Sequence, residues 1–267
     1  MWLWQSKEQD GSGDMLLAID VGNTQTVLGL FDQSEIVESW RVSTDPQATS
    51  DELALTICGL LDQKQVTGVV ACSTVPRIRR EIVLMLARHF GHLPTIVIGP
   101  GVKTGVPLHV DNPHEVGADR VVNSLAAYQR YGGPAIVVDF GTSTSLDVVG
   151  PGGEFLGGAL APGIEISVDA LTERAAQLRM VELVAPARAI GKNTVTAVQS
   201  GVVFGFAGLV DGLVGRILGE LAESYPARPR VIGTGGLAPL VIAASKTIEE
   251  HDPDLTLHGL RLAFERN

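Results

Sequence analysis

Asp20-Val21-Gly22-Asn23-Thr24 separates two apolar runs, Met15-Leu16-Leu17-Ala18-Ile19 and Thr26-Val27-Leu28-Gly29-Leu30-Phe31. Both runs are too short to span a membrane and suit buried strands. Gly-Asn between them signals a hairpin, because both residues tolerate positive φ. Asp20 is the odd member. A carboxylate at the inner end of a buried strand costs free energy unless it meets donors or a cation. Gly22 lets a ligand approach the backbone, and the turn amides with the Thr24 and Thr26 hydroxyls offer donors to an anion. The stretch reads either as a phosphate seat with a metal nearby or as a plain hairpin with a capping Asp.

Residues 135–149, Ala-Ile-Val-Val-Asp-Phe-Gly-Thr-Ser-Thr-Ser-Leu-Asp-Val-Val, repeat the pattern. Asp139 matches Asp20, Gly141 matches Gly22, and Ser143 matches Thr24. Two copies of a strand, an Asp-x-Gly turn and a strand point to an internal duplication. That favours a nucleotide phosphate site in a cleft between two related domains.

The chain has 267 residues, 45% of them apolar, and a net charge of −10. Such a length holds a large core or two domains of roughly 120 residues each. The apolar runs are broken by Gly, Pro or charge before spanning length, so no membrane-crossing helix is expected. The acidic balance argues against nucleic acid, whose backbone demands clustered Lys and Arg. It does not argue against a nucleotide held locally by amides and magnesium. Cys58 and Cys72 lie in apolar sequence and read as reduced core residues of a cytosolic protein. The six histidines show no ligand spacing, which argues against zinc.

Residues 1–14 lack a signal peptide's pattern and are read as a disordered extension before Met15. Residues 35–42 alternate as a third antiparallel strand. Thr49-Ser50-Asp51-Glu52 is a capping box opening a helix to about Asp62. Residues 67–72 form a buried strand, then a helix runs through His89 with Pro76 near its first turn. A strand follows over 94–98. This order predicts an α/β unit with a mixed sheet. Residues 99–107 are too rich in Gly and Pro for regular structure. A helix is expected from about Glu115 to Tyr131, with Asp119 and Arg120 in its first turns. The helix dipole favours Asp119 there and disfavours Arg120, which gives Arg120 an external task such as holding a carboxylate or phosphate.

Residues 152–163 read as a turn, a strand and a small-residue loop suited to a ligand lying against backbone, or to simple tight packing. The next helix reaches about Leu178. Residues 195–224 form a long helix. Its Gly201, Gly205, Gly208, Gly212, Gly215 and Gly219 are poor helix formers that suit close helix–helix approach in a core or a subunit interface. Gly191-Lys192-Asn193-Thr194 ahead of it is no P-loop, which needs a glycine at Pro186 and a hydroxyl at Asn193. Residues 230–236 are a strand ending in a Gly-rich turn, a candidate adenosine contact. Helices over about 239–245 and 257–265 close the chain.

The two Asp-x-Gly-hydroxyl hairpins and Gly233-Thr234-Gly235-Gly236 resemble the acetate-kinase, sugar-kinase, heat-shock-ATPase and actin superfamily. Asp20-Val21-Gly22-Asn23-Thr24, Gly117-Ala118-Asp119-Arg120, Asp139-Phe140-Gly141-Thr142 and Gly191-Lys192-Asn193-Thr194, in that order, resemble type III pantothenate kinases. The resemblance runs from about Met15 to the C-terminus. It implies an α/β fold of two duplicated ribonuclease-H-like domains, 15–131 and 132–267. Mixed sheets flanked by helices would enclose an active-site cleft between them. It implies ATP-dependent phosphorylation of pantothenate, the first step of coenzyme A biosynthesis, by a cytoplasmic homodimer. Magnesium and a monovalent cation, potassium or ammonium, are implied as cofactors. By position, Asp20, Val21, Gly22, Asn23, Thr24, Gln25, Thr26 and Val27 would line the ATP phosphates, and Thr142 would contact ATP. Asp119 would be the catalytic base. Gly117, Ala118, Asp119, Arg120 and Thr194 would surround pantothenate, and Asp139 would hold the monovalent cation. Val110 stands where many members carry Tyr.

Two other readings fit the composition. Another small-molecule kinase or phosphohydrolase of this superfamily would hydrolyse ATP without pantothenate. A non-catalytic regulator of the same fold would be marked by loss of Asp20 or Asp119, and both are present.

Overall fold

The computed structural model describes residues 15–174 and 181–267; the extension 1–14 lies outside them. β1 (Met15–Val21) and β2 (Gln25–Asp32) form the expected antiparallel hairpin, with Asp20 opposite Val27. β3 (Glu35–Ser43) pairs with β2 on its far side. α1 (Ser50–Leu61) opens on the predicted capping box: Glu52 N–H donates to Thr49 Oγ1, and the Glu52 carboxylate accepts from Thr49 N–H at 2.8 Å. β4 (Gly68–Ser73) lies parallel to β1, α2 (Pro76–His89) follows, and β5 (Thr95–Val97) lies parallel to β4.

A short 3₁₀ turn, Pro113–Glu115, then precedes α3 (Ala118–Tyr131). The helix therefore starts later than the expected Glu115, because Val116 is extended and Gly117 takes the N-cap position. β6 (Ala135–Phe140), β7 (Ser143–Val149) and β8 (Phe155–Pro162) form a second antiparallel meander. The expected small-residue loop is thus largely strand. Its glycines serve tight packing, since a Cβ at Gly158 would collide with the Leu146 carbonyl. α4 (Ile164–Arg174) follows, and its expected continuation to Leu178 lies outside the described residues. Next come α5 (Thr194–Ala222), β9 (Arg230–Thr234) parallel to β6, α6 (Ala238–Ile242), β10 (Glu250–His251) parallel to β9, and α7 (Leu255–Phe264). β10 is too short to have left a pattern in the sequence.

The sheets run β3-β2-β1-β4-β5 and β10-β9-β6-β7-β8. Matched end for end, β6 takes the place of β1 and β7 that of β2, each with the same strand directions. This is the duplicated ribonuclease-H-like architecture, two mixed sheets flanked by helices. The period-two alternation of β1 distributes its side chains. Leu17 and Ile19 meet Ile78, Ile82 and Met85 of α2 on one face. Leu16 and Ala18 meet Val122 and Leu125 of α3 and Leu257 and Leu260 of α7 on the other. The same α3 turns Ala126 and Ala127 to Ala135, Val137 and Val149 of the second sheet. Each fully buried Leu or Ile contributes roughly 1.5–3 kcal/mol, so α3 is fixed from both sides. That fixes the side chains at its first turn.

Cys58 is exposed, not core, because it falls outside the α1 stripe of Ala54, Ile57 and Leu61; Cys72 is buried as expected. Against the expectation of no such stretch, α5 is long and apolar enough to cross a membrane by length and composition, since glycine breaks helix propensity more than apolarity. Its inner face, Val202, Ala207, Val210 and Val214, packs on the second sheet. At all six glycines the space where a Cβ would stand is open among the described residues, so they do not serve close approach to any of those.

Candidate active site

The duplicated strands β1 and β6 end in Asp20 and Asp139, and α3 brings Asp119 to the same place. A cleft of about 420 Å³ between the sheets is lined by all three carboxylates. Gly22, Asn23, Thr24, Gln25 and Val27 line it from the first hairpin, and Gly141, Thr142 and Ser143 from the second. Arg41, Arg120, Glu165 and the Gly235-Gly236 turn are also part of the lining. The Thr24 and Thr142 hydroxyls stand 3.5 Å apart, so the two turns touch across the cleft.

Other predicted residues lie outside this lining. Val21 and Thr26 are cross-strand partners on the opposite side of the pleat from Asp20 and Val27. Val21 is in the core, and the Thr26 hydroxyl bonds that of Thr44 at 2.8 Å. Ala118 packs toward the core shared by α3 and α7. Thr194 is exposed in the first turn of α5, where Asn193 and Thr196 form a capping box. The Gly-Lys-Asn-Thr stretch is therefore a helix start. Val110 lies near Gly157 on β8 rather than in the lining.

Gly117 acts on Asp119. A Cβ there would fall 2.4 Å from Asp119 Oδ1. Gly117→Ala must push that carboxylate aside, and an ångström of misplacement costs up to about a hundredfold in rate. The expected result is a kcat lowered at least about tenfold with nucleotide affinity retained, measured by steady-state kinetics beside direct binding.

The carboxylates are held in costly surroundings. Burial pushes Asp20 up to about 6, with Asp119 adding to the rise; the Cys72 thiol, donating to Asp20 Oδ1 at 3.1 Å, opposes it. Burial, then the charges of Asp119 and Asp20, push Asp139 up to about 7. Burial also raises Asp119, against the pull of Arg120. Asp119 Oδ1 has no hydrogen-bond partner among the described residues. Repelling, buried carboxylates around one cleft ask for a cation or for donors on a ligand. Among the described residues no cluster of three or more His, Cys, Asp or Glu forms a complete cage. Magnesium suits this setting, because it is usually held by one or two carboxylates together with substrate phosphates and water.

Arg120 already has a carboxylate. Its Nε donates to Asp147 Oδ1 at 2.7 Å, and its guanidinium lies 5.2 Å from the Phe155 ring centre. Asp147 is fully buried, accepts from Ser145 Oγ at 3.1 Å, and is pushed up to about 6 by burial despite Arg120. The partner expected outside the helix is thus an internal one. Asn123, one turn after Asp119, donates to Asp139 Oδ2 at 3.3 Å and accepts from Thr256 Oγ1 at 2.8 Å. Asn123, Asp147, Arg41 and Glu165 belong to no motif. The helical spacing of 119 and 123 was the one signal that pointed to Asn123.

A family model described as type III pantothenate kinase matches residues 16–216. A type III pantothenate kinase of Frankia alni is 60% identical over 253 residues, covering 95% of this chain and 100% of that one. One of Rhodococcus erythropolis is 60% identical over 259 residues, covering 95% and 96%. Among solved structures, component A of (R)-2-hydroxyglutaryl-CoA dehydratase from Acidaminococcus fermentans aligns with a TM-score of 0.51 at 15% identity, over 94% of this chain and 98% of that one. The ethanolamine utilization protein EutJ of Carboxydothermus hydrogenoformans aligns at 0.52 and 16% identity, over 92% and 88%. These structural likenesses concern the fold alone. With a match along most of its length and both Asp-x-Gly hairpins facing one cleft, the chain belongs to the type III pantothenate kinase family.

Proposed function

We infer that the chain transfers the γ-phosphoryl group of ATP to the primary hydroxyl of pantothenate, the first step of coenzyme A biosynthesis. The observation that carries the assignment of roles is Asp119 Oδ1, enclosed between the two Asp-x-Gly hairpins and without a hydrogen-bond partner among the described residues. Phosphoryl transfer needs positioning and charge neutralisation more than covalent chemistry. Asp119 takes the hydroxyl proton as the oxygen attacks. Turn amides and hydroxyls from Gly22 to Gln25 and from Thr142 hold the phosphates. Asp20 is the carboxylate best placed to meet magnesium, which would neutralise the β- and γ-phosphate charge. Asp139 would hold potassium or ammonium, relieving the repulsion it shares with Asp20 and Asp119. Arg120, fixed by Asp147, faces the substrate side with Gly117.

The two domains divide at 131/132, α3 closing the first, although α7 returns to pack on the first sheet. A homodimer is supported by α5, whose open glycine positions lie near exposed Phe204 and Val195 on the same helix. Thr194 opens that helix, so its contact with pantothenate is read as coming from the second copy. Asp211, tied to Ser245, Lys246 and Thr247, supports α5 as a helix packed on the rest of the protein rather than a membrane span, in keeping with a cytoplasmic enzyme. The net charge of −10 supports the absence of nucleic acid among the partners.

The test is ADP release with magnesium-ATP, with and without pantothenate, in potassium and then sodium buffer. Release that requires both pantothenate and potassium is expected. Release without pantothenate would turn the assignment to another acceptor or to hydrolysis. Equal rates in sodium and potassium would remove the cation role of Asp139.

A further inference from the structure

Arg41 belongs to no sequence motif, yet the strand register carries it into the cleft. Asp20 is opposite Val27 on β2, and Val27 is opposite Arg41 on β3. Directly opposed residues share one face of a sheet, so Asp20, Val27 and Arg41 form a row, and all three line the cleft. One guanidinium nitrogen of Arg41 donates to Gln25 Oε1 at 2.7 Å. Across the cleft, a Cβ at Gly236 would stand 3.0 Å from the same nitrogen. Arg41 thus bridges the first phosphate hairpin and the Gly235-Gly236 turn of the other domain.

The charges around it give it a task. Asp20, Asp119, Asp139 and Glu165 line the cleft, and the cations lining it are Arg41 and Arg120. Arg120 is taken up by Asp147. Arg41 forms no ion pair among the described residues. Among the described residues, a polyanion entering this acidic cleft therefore meets one cation without an ion-pair partner. Its planar fork suits phosphate oxygens, and a neutral Gln25 neighbour holds the side chain without cancelling its charge.

We propose that Arg41 binds the phosphate chain of ATP, reaching it from the first domain past the Gly235-Gly236 turn of the second. The proposal rests on ATP as the phosphoryl donor and adds a phosphate ligand outside both hairpin turns. Gly236 leaves room for the guanidinium where any side chain would crowd it.

The test compares the parent with Arg41→Gln, Arg41→Lys and Arg228→Gln by calorimetry with a non-hydrolysable ATP analogue and with AMP. Arg228 pairs with Glu249 away from the cleft, so its variant reproduces the change in net charge alone. Loss of a charged hydrogen bond to phosphate is expected to weaken the triphosphate about ten- to a hundredfold in Arg41→Gln. AMP should weaken much less, Arg41→Lys should fall between, and Arg228→Gln should match the parent. The KM for ATP should rise in step while that for pantothenate stays within about twofold of the parent. Unchanged triphosphate binding in Arg41→Gln would overturn the proposal. So would equal weakening of ATP analogue and AMP, or equal weakening in Arg228→Gln. Parental turnover with pantothenate, measured beside these, separates failure of this assignment from failure of the kinase reading.

Discussion

Asp119→Asn is expected to lower kcat by about a hundred- to ten-thousandfold, the range for loss of a general base, while ATP still binds. Asparagine has nearly the same shape, so Gly117 still clears the site and α3 stays in place. The amide cannot take a proton from the attacking hydroxyl. Nucleotide binding should hold or tighten, because the variant removes a negative charge that presses on both Asp20 and Asp139. The pH profile sharpens the test. Burial raises the Asp119 carboxyl, so the acid limb of kcat for the parent should lie above the ordinary carboxylate range, with the rate rising as the base loses its proton. That limb should be lost from the residual activity of the variant. Turnover near the parental value, with a parental acid limb, would show that the proton goes elsewhere.

Much of the fold was legible because it rests on local rules. Apolar runs of strand length around Gly-Asn and Gly-Thr gave both hairpins, and the Thr49–Glu52 box gave the start of α1. The duplication followed from the matched units around Asp20-x-Gly22 and Asp139-x-Gly141, since few structural tasks put an Asp-x-Gly turn at the end of a buried strand twice. Residues whose place depends on tertiary register were not legible. Arg41 enters the cleft only because β3 pairs with β2 in one register, and Asp147 meets Arg120 only because β7 lies beside α3. Val21 and Thr26 sat within a motif read as a block, and the period of two turned them away from the cleft. The glycines of α5 were read as packing devices. Among the described residues nothing fills the space beside them.

Asp139→Asn should trade function for stability, and the trade should depend on pH. In the ligand-free, potassium-free protein, burial and the neighbouring carboxylates of Asp119, Asp20 and Asp147 bring Asp139 from 3.8 to about 7. The folded state therefore holds a proton that the unfolded chain releases near pH 4, and stability falls as pH rises between those values. Moving a carboxyl that far corresponds to at most roughly 4 kcal/mol, and water in the cleft reduces it. Asparagine carries no charge and can still accept from Asn123. The variant should melt several degrees higher than the parent at pH 8 and within about a degree of it at pH 4, in thermal unfolding without nucleotide. Potassium should raise the melting temperature of the parent at pH 8 and leave that of the variant unchanged. Turnover should drop by at least about a hundredfold if the cation is needed to hold the phosphates beside Asp20 and Asp119. Equal melting temperatures at pH 8 would mean that the three carboxylates do not repel one another in the folded protein. A variant with full, potassium-dependent turnover would place the cation at other oxygens of the cleft.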